Sequence, residues 1–158
     1  MATSGKDLSA FNPDALPDGA GYRIGLVVSQ WNDEITGALA RGAQETLLDL
    51  GVPENQILRW DVPGSFELPF GCKRMIERER PDAVIAIGSV IRGETAHFDF
   101  VCQGTAQGIM DLNLQHDVPV IFCVLTDDTW DQARARSGGR HGNKGVEAAV
   151  AALQMAAL

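Results

Sequence analysis

The chain has 158 residues, 45% of them hydrophobic, which fits a single domain built on one core. Its formal net charge of −8 repels nucleic acid and anionic membranes at long range, so neither is an expected partner, and an anionic substrate needs local positive charge to hold it. The apolar runs at 24–28 and 118–125 fall well short of the roughly 18 residues a bilayer span requires.

Residues 1–21 carry Gly5, Pro13, Pro17, Gly19 and Gly21 with little periodicity, and read as an extended or mobile arm whose role is open, addition of a strand to a neighbouring subunit included. Asp7, Asp14 and Asp18 with no apolar block resemble neither a secretory signal nor a basic transit peptide, so the expected location is the cytoplasm. The run IGLVVS from Ile24 is a continuous apolar strand, and Asn32 or Asp33 can cap a helix that runs through Leu50 and stops at Gly51. ILRWDV, from Ile57, is a second strand; after Pro63 and Gly64 a helix is predicted over about 66–78.

The segment AVIAIGSV at 83–90 is apolar but for Ser89, as a parallel strand covered on both faces should be, and a helix over about 96–115 follows. PVIFCVLT at 119–126 repeats that signature. A short helix near 129–136, the glycine-rich loop SGGRHGNKG and an alanine-rich helix ending at Leu158 complete the chain. Strict alternation with short connections predicts a three-layer α/β/α sandwich on a central four-stranded parallel sheet, flavodoxin-like in class, with residues 22–158 as its domain. Ligands of such sheets bind beyond the carboxyl ends of the strands, so chemistry is expected around Trp31, Ser65, 91–97 and 126–130.

Of these strand ends, the third carries the most reactive side chain. Residues 88–97 leave a strand, turn at Gly93 and enter a helix that Thr95 is placed to cap, an arrangement that favours a bound anion through free N–H groups and the helix dipole. His97 in the first helical turn could give and take protons for a ligand held there, or it could be a capping or half-buried histidine. Residues 136–145 carry the local positive charge that an anionic substrate demands and could clamp an anion, or they could be a solvated basic loop. They do not form a nucleotide-binding phosphate loop, because Asn143 interrupts the Gly-Lys pairing and Gly145 stands where Ser or Thr is needed. Pro63 to Glu67 could present backbone amides to a polar ring or be an ordinary helix entry, and Trp31 could stack on a heterocycle or simply pack. Cys72, Cys102 and Cys123 are too far apart for a zinc knuckle and odd in number, and read as buried free thiols. His97, His116 and His141 lack metalloprotease spacing, no nucleophile elbow or dinucleotide fingerprint follows a strand, and neither metal nor cofactor is expected.

Taken together, WNDEITGAL after the first strand, VPGSFELP after the second, IGSVIRGETAHFDFV at the third, VPVIFCVLT as the fourth and GNKGVEAA at the last helix closely resemble lumazine synthases in order and spacing from about Tyr22 to Leu158. The resemblance implies condensation of 5-amino-6-(D-ribitylamino)uracil with 3,4-dihydroxy-2-butanone 4-phosphate, the penultimate step of riboflavin biosynthesis. It makes Trp31 the platform that stacks on the pyrimidine. Ser65, Phe66 and Glu67 become the segment holding the ribityl chain and ring, Ser89, Val90 and Ile91 further ring contacts, and Phe122 an aromatic residue supplied by a neighbouring subunit. Glu94, Thr95 and Arg136 fall at the phosphate site with Gly93, His97 becomes the proton-transfer residue, and Lys144 matches a further lysine near the site. A carboxylate facing phosphate would repel it, so Glu94 is expected to offer its backbone and turn its side chain to solvent.

The same resemblance implies a homo-oligomer, a pentamer alone or one further assembled into a decamer or a sixty-subunit shell, and leaves association with riboflavin synthase open. The rivals are a non-catalytic flavin or lumazine carrier, against which His97 and Arg136 stand, and a phospho-receiver domain, which would need an acidic cluster where this chain has Trp31 and residues 89–92.

Overall fold

A computed structural model describes residues 7–158. The first six residues of the predicted arm, Gly5 among them, lie outside the described residues. Four parallel strands, β1 (Ile24–Ser29), β2 (Ile57–Val62), β3 (Ala83–Ile91) and β4 (Val120–Asp127), form one sheet in the order β2-β1-β3-β4. In register, Ile24 lies opposite both Ile57 and Ala83, and Ile91 lies opposite Asp127. The expected sandwich is therefore present, with β2 and β4 at the edges and the chemistry-bearing β3 inside.

Side chains alternate across the pleat, and the two faces receive different helices. Ile24, Leu26 and Val28 of β1 with Ile85 and Ile87 of β3 pack against α1 (Asp33–Asp49) and α5 (Lys144–Ala156) through Leu39, Ala43, Leu47, Ala149 and Leu153. On the other face Val27, Val84 and Ala86 meet Leu68, Cys72 and Met75 of α2 (Leu68–Glu79) and Ile109 and Leu112 of α3 (His97–Gln115). Cys72 and Cys123 are buried free thiols, and burial pushes both up, Cys123 to about 12. Cys102, on α3, is partly exposed.

Several element boundaries move by a residue or two from those read in the sequence. Asn32 takes the cap position of α1 in a left-handed conformation and makes no side-chain cap bond; its amide is engaged elsewhere. The predicted helix after β2 opens as a single 3-10 turn, Ser65–Glu67, before α2 proper begins with Pro69 in its first turn, where a missing N–H costs nothing. Thr95 is not the cap of α3. Ala96 holds that position, and the Thr95 hydroxyl accepts only a long bond, 3.4 Å, from the N–H of His97. By contrast, α4 (Trp130–Arg136) starts with a complete capping box between Thr129 and Gln132.

The glycine-rich segment is not an open loop but a small antiparallel hairpin, β5 (Ser137–Gly139) with β6 (Gly142–Asn143). Asn143 then caps α5 by accepting from Gly145 N–H and donates to the Ala38 carbonyl of α1. The described part of the arm is tied to this hairpin: Leu8 N–H donates to His141 O at 2.9 Å, and Asn143 N–H to Ser9 Oγ at 2.9 Å. Among the described residues no helix is long and apolar enough to cross a membrane.

Candidate functional site

A cleft of about 640 Å³, within the range of small-molecule sites, opens where three strand ends converge. The ends of β1 and β2 are held side by side because the ladder continues past the strands: Gln30 N–H donates to Val62 O and Trp31 N–H to Pro63 O. Asn32 then bridges to the third strand, its Nδ2 donating to Ser89 O at 2.9 Å, which explains why its side chain does not cap α1. These bonds leave the Trp31 ring 72% exposed and lining the cleft, a position that packing alone would not favour for so large an apolar surface.

The second wall is the turn from Gly64 to Glu67. Thr105 of α3 donates its hydroxyl to Ser65 O at 3.1 Å, drawing the turn against the helix. Two glycines make the approach close enough: a Cβ on Gly104 would lie 2.6 Å from the Phe66 ring, and one on Gly88 would lie 2.6 Å from Ser65 Oγ. Phe66, held in this way, is still 60% exposed. The third wall is β3 itself at Ser89, Val90 and Ile91, followed by Gly93 and Thr95 of the turn and His97 on α3.

Two polar atoms in the walls lack partners. Ser65 Oγ and Ser89 Oγ are buried and have no hydrogen-bond partner among the described residues. Buried hydroxyls are nearly always satisfied, so a pair of orphans on two residues of the cleft wall is a departure from ordinary packing.

Of the residues singled out in the sequence, Trp31, Ser65, Phe66, Glu67, Ser89, Val90, Ile91, Gly93, Thr95 and His97 line this single cleft. Glu94 stands between two of them with an exposed side chain and is not in the lining. Three other residues lie elsewhere in the chain. Phe122 sits on the edge strand β4, 38% exposed. Arg136 ends α4, donates to Gln132 O at 3.1 Å and lies 3.9 Å from Asp127 Oδ1. Lys144 opens α5 and pairs with Glu147 Oε1 at 2.6 Å. The lining also includes Asn32, expected only as a helix cap, Gly64 of the Pro63 to Glu67 segment, and three residues assigned no role from the sequence, Phe98, Phe100 and Val101. For the last three a signal was available: Val101 lies one helical turn from both His97 and Phe98, so the apolar letters of HFDFV share the histidine's face.

At the end of β4 the charges are paired, Asp127 with Arg136 and Asp128 with Arg92. Asp127, only 8% exposed, has its carboxyl pushed above the usual carboxylate range by burial, with Arg136 acting in the opposite sense and Asp128 adding to the rise. Its Oδ2 has no partner. Among the described residues no three His, Cys, Asp or Glu side chains are grouped to hold a metal ion.

Residues 21–158 match the sequence model of the 6,7-dimethyl-8-ribityllumazine synthase family. The chain is 57% identical over its whole length to the 6,7-dimethyl-8-ribityllumazine synthase of Christiangramia forsetii, covering 95% of that protein. It is 58% identical to the enzyme of that name from Flavobacterium johnsoniae, over 99% of this chain and 82% of the relative, and 51% identical to that of Porphyromonas gingivalis, over 100% and 98%. Matches of this length and identity, falling on a cleft built at the strand ends as described, place the chain in the 6,7-dimethyl-8-ribityllumazine synthase family.

Proposed function

We propose that this cleft is where the chain condenses 5-amino-6-(D-ribitylamino)uracil with 3,4-dihydroxy-2-butanone 4-phosphate, giving 6,7-dimethyl-8-ribityllumazine, phosphate and two waters, as the lumazine synthase of riboflavin biosynthesis. The observation that carries the assignment of the site is the convergence of Trp31, the Ser65–Glu67 turn, Ser89 to Ile91 and His97 on one cleft with unpartnered buried hydroxyls. The exposed Trp31 face is a stacking platform for the pyrimidine, and the polar edges of Ser65 to Glu67 and Ser89 to Ile91 take the ring and ribityl chain.

An aryl amine attacks the ketone, the carbinolamine loses water to an imine, phosphate leaves through an enol, and ring closure releases the second water. Each step moves a proton, and His97, beside the turn at Gly93 to Thr95, is the shuttle. The start of a 19-residue helix favours the phosphate through its dipole, with the Glu94 side chain turned to solvent. Arg136 holds the dianion through a two-pronged contact that a lysine does not reproduce. Holding two substrates in register supplies much of the acceleration.

Arg136, Phe122 and Lys144 lie outside the cleft of their own chain, which supports a site completed by a neighbour's copies of these residues in a homo-oligomer. The exposed apolar residues of α3, Met110 and Leu114, support the same reading. The assembly is a pentamer, the unit from which decamers and sixty-subunit shells are made, and riboflavin synthase is its candidate partner. Residues 22–158 form the catalytic domain, residues 1–21 an arm, and the cytoplasm is the proposed location. One assay tests the function: mix both substrates and follow lumazine absorbance and phosphate release together. Stoichiometric release of both is expected, whereas tight flavin binding without phosphate release would make the chain a carrier.

A further inference from the structure

The turn that carries His97 is exposed from Arg92 to His97 and contains Gly93, around which an added Cβ would meet open space. Its own bonds near the histidine are local ones, from His97 N–H to the Thr95 hydroxyl at 3.4 Å and from Asp99 N–H to Ala96 O at 3.0 Å. One side chain holds both of its ends. The Arg92 guanidinium donates from Nε to Asp128 Oδ1 at 2.8 Å, in the loop after β4, and from Nη1 to Asp99 Oδ1 at 3.3 Å, in the first turn of α3. It also lies over the Phe98 ring, 4.1 Å from the centroid, and Phe98 lines the cleft next to His97. The Arg92 N–H is fixed in turn to Asp127 O at 3.0 Å, so the side chain starts from an anchored backbone.

We infer that Arg92 is a positioning residue for the reaction: its guanidinium clamps the first turn of α3 to the β4–α4 loop and thereby sets His97 and Phe98 against the substrates. The inference rests on the proposed role of His97. Each ion pair is exposed, and pairs of that kind contribute little to stability. A planar fork that meets two carboxylates and stacks on a ring constrains direction far more than energy, and a lysine can satisfy one of those contacts at a time. A displacement of about 1 Å in a reacting group can cost about 100-fold in rate, so a clamp of modest strength has a kinetic effect out of proportion to its stability.

The experiment is a double-mutant cycle on the assembled enzyme with Arg92→Met, Arg92→Lys, His97→Ala and the Arg92→Met/His97→Ala pair, measuring kcat, KM for both substrates, thermal midpoint and oligomeric size. R92M is expected to lower kcat by about ten-fold or more with the thermal midpoint and oligomer unchanged and KM for the ribityl pyrimidine within about two-fold. R92K should recover part of the loss. In the H97A background R92M should add less than about two-fold, because the group it positions is gone. A wild-type rate in H97A alone would remove the shuttle and this role for Arg92 with it. A normal fall in H97A that R92M multiplies in full would leave the shuttle standing and overturn the clamp alone, as would an R92M enzyme with unchanged kcat or one whose loss follows a lower thermal midpoint.

Discussion

The two faces of the sheet are finished to different degrees. On one, α1 buries eight of its 17 residues, and Leu39, Ala43 and Leu47 are fully enclosed against β1, β3 and α5. On the other, α3 is longer, 19 residues, yet buries three, Thr105, Ile109 and Leu112, while Met110 and Leu114 on the same helix remain 57% and 79% exposed. The first face is a core that one chain completes. The second is half of a core, and the cleft opens beside it, with Phe100 of α3 71% exposed on its rim. Apolar surface of that kind on a folded chain marks an interface, so stability and activity should depend on different faces.

The largest effect expected from this contrast is on activity. Met110 and Leu114 lie one helical turn apart on one stripe, and changing both to aspartate should leave the secondary structure of the chain intact, since exposed positions tolerate such changes within about 0.5 kcal/mol each. Sedimentation should then report smaller species and the lumazine assay a near-complete loss; full activity in an intact oligomer would show that α3 is not the interface. The opposite change is Leu39→Ala in the finished face. It should destabilise the chain by about 2–5 kcal/mol through the cavity it leaves, seen as a lower denaturation midpoint, while kcat at low temperature stays near that of the parent. A loss of kcat without a loss of stability would break the comparison.

A smaller effect belongs to the cleft wall. Trp31→Ala removes an exposed ring that no packing requires, so the denaturation midpoint should hold, while ribityl pyrimidine binding, read by fluorescence or calorimetry, weakens by about five-fold from a lost stacking contact of about 1 kcal/mol. Unchanged affinity would return Trp31 to a surface role. The smallest effect is at Asp127. Its carboxyl is pushed up in the folded chain, first by burial, so between the ordinary carboxylate value and the raised one the folded state holds more proton than the unfolded state. Stability therefore falls as pH rises through that window, and the deficit persists above it. Asp127→Asn should raise the thermal midpoint by about 2 °C at neutral pH and lose that advantage below about pH 4. A midpoint that drops instead would show that the ion pair with Arg136 outweighs desolvation.

Legibility in the sequence followed the range of the interactions. Strands β1 and β2 have the bounds their residues predict because the signal is local, a continuous apolar run in β1 and a short strand-forming segment between turn residues in β2. The cap of α3 was misplaced by one residue, since Thr95 has the chemistry of a cap but the turn delivers the helix through Ala96. The hairpin at Ser137 to Asn143 looks like a loop in the sequence because glycine carries no strand preference, and Asn143 is held by a bond to Ala38, 105 residues earlier. Phe98 was passed over for another reason: an apolar residue early in a helix is indistinguishable from core until the neighbouring turn is in place.

By itself the sequence determined the order of elements, the parallel sheet and the strand ends at which Trp31, Ser65, Ser89 and His97 are presented, because periodicity and the chirality of crossovers are properties of consecutive residues. Only the tertiary structure decided that β4 lies at the edge, that Phe122 and Arg136 fall outside their own chain's cleft, and that Arg92 meets Asp128 across 36 residues. Those facts depend on which strand pairs with which, a long-range choice made by the packing of the whole sheet, and no local pattern records it.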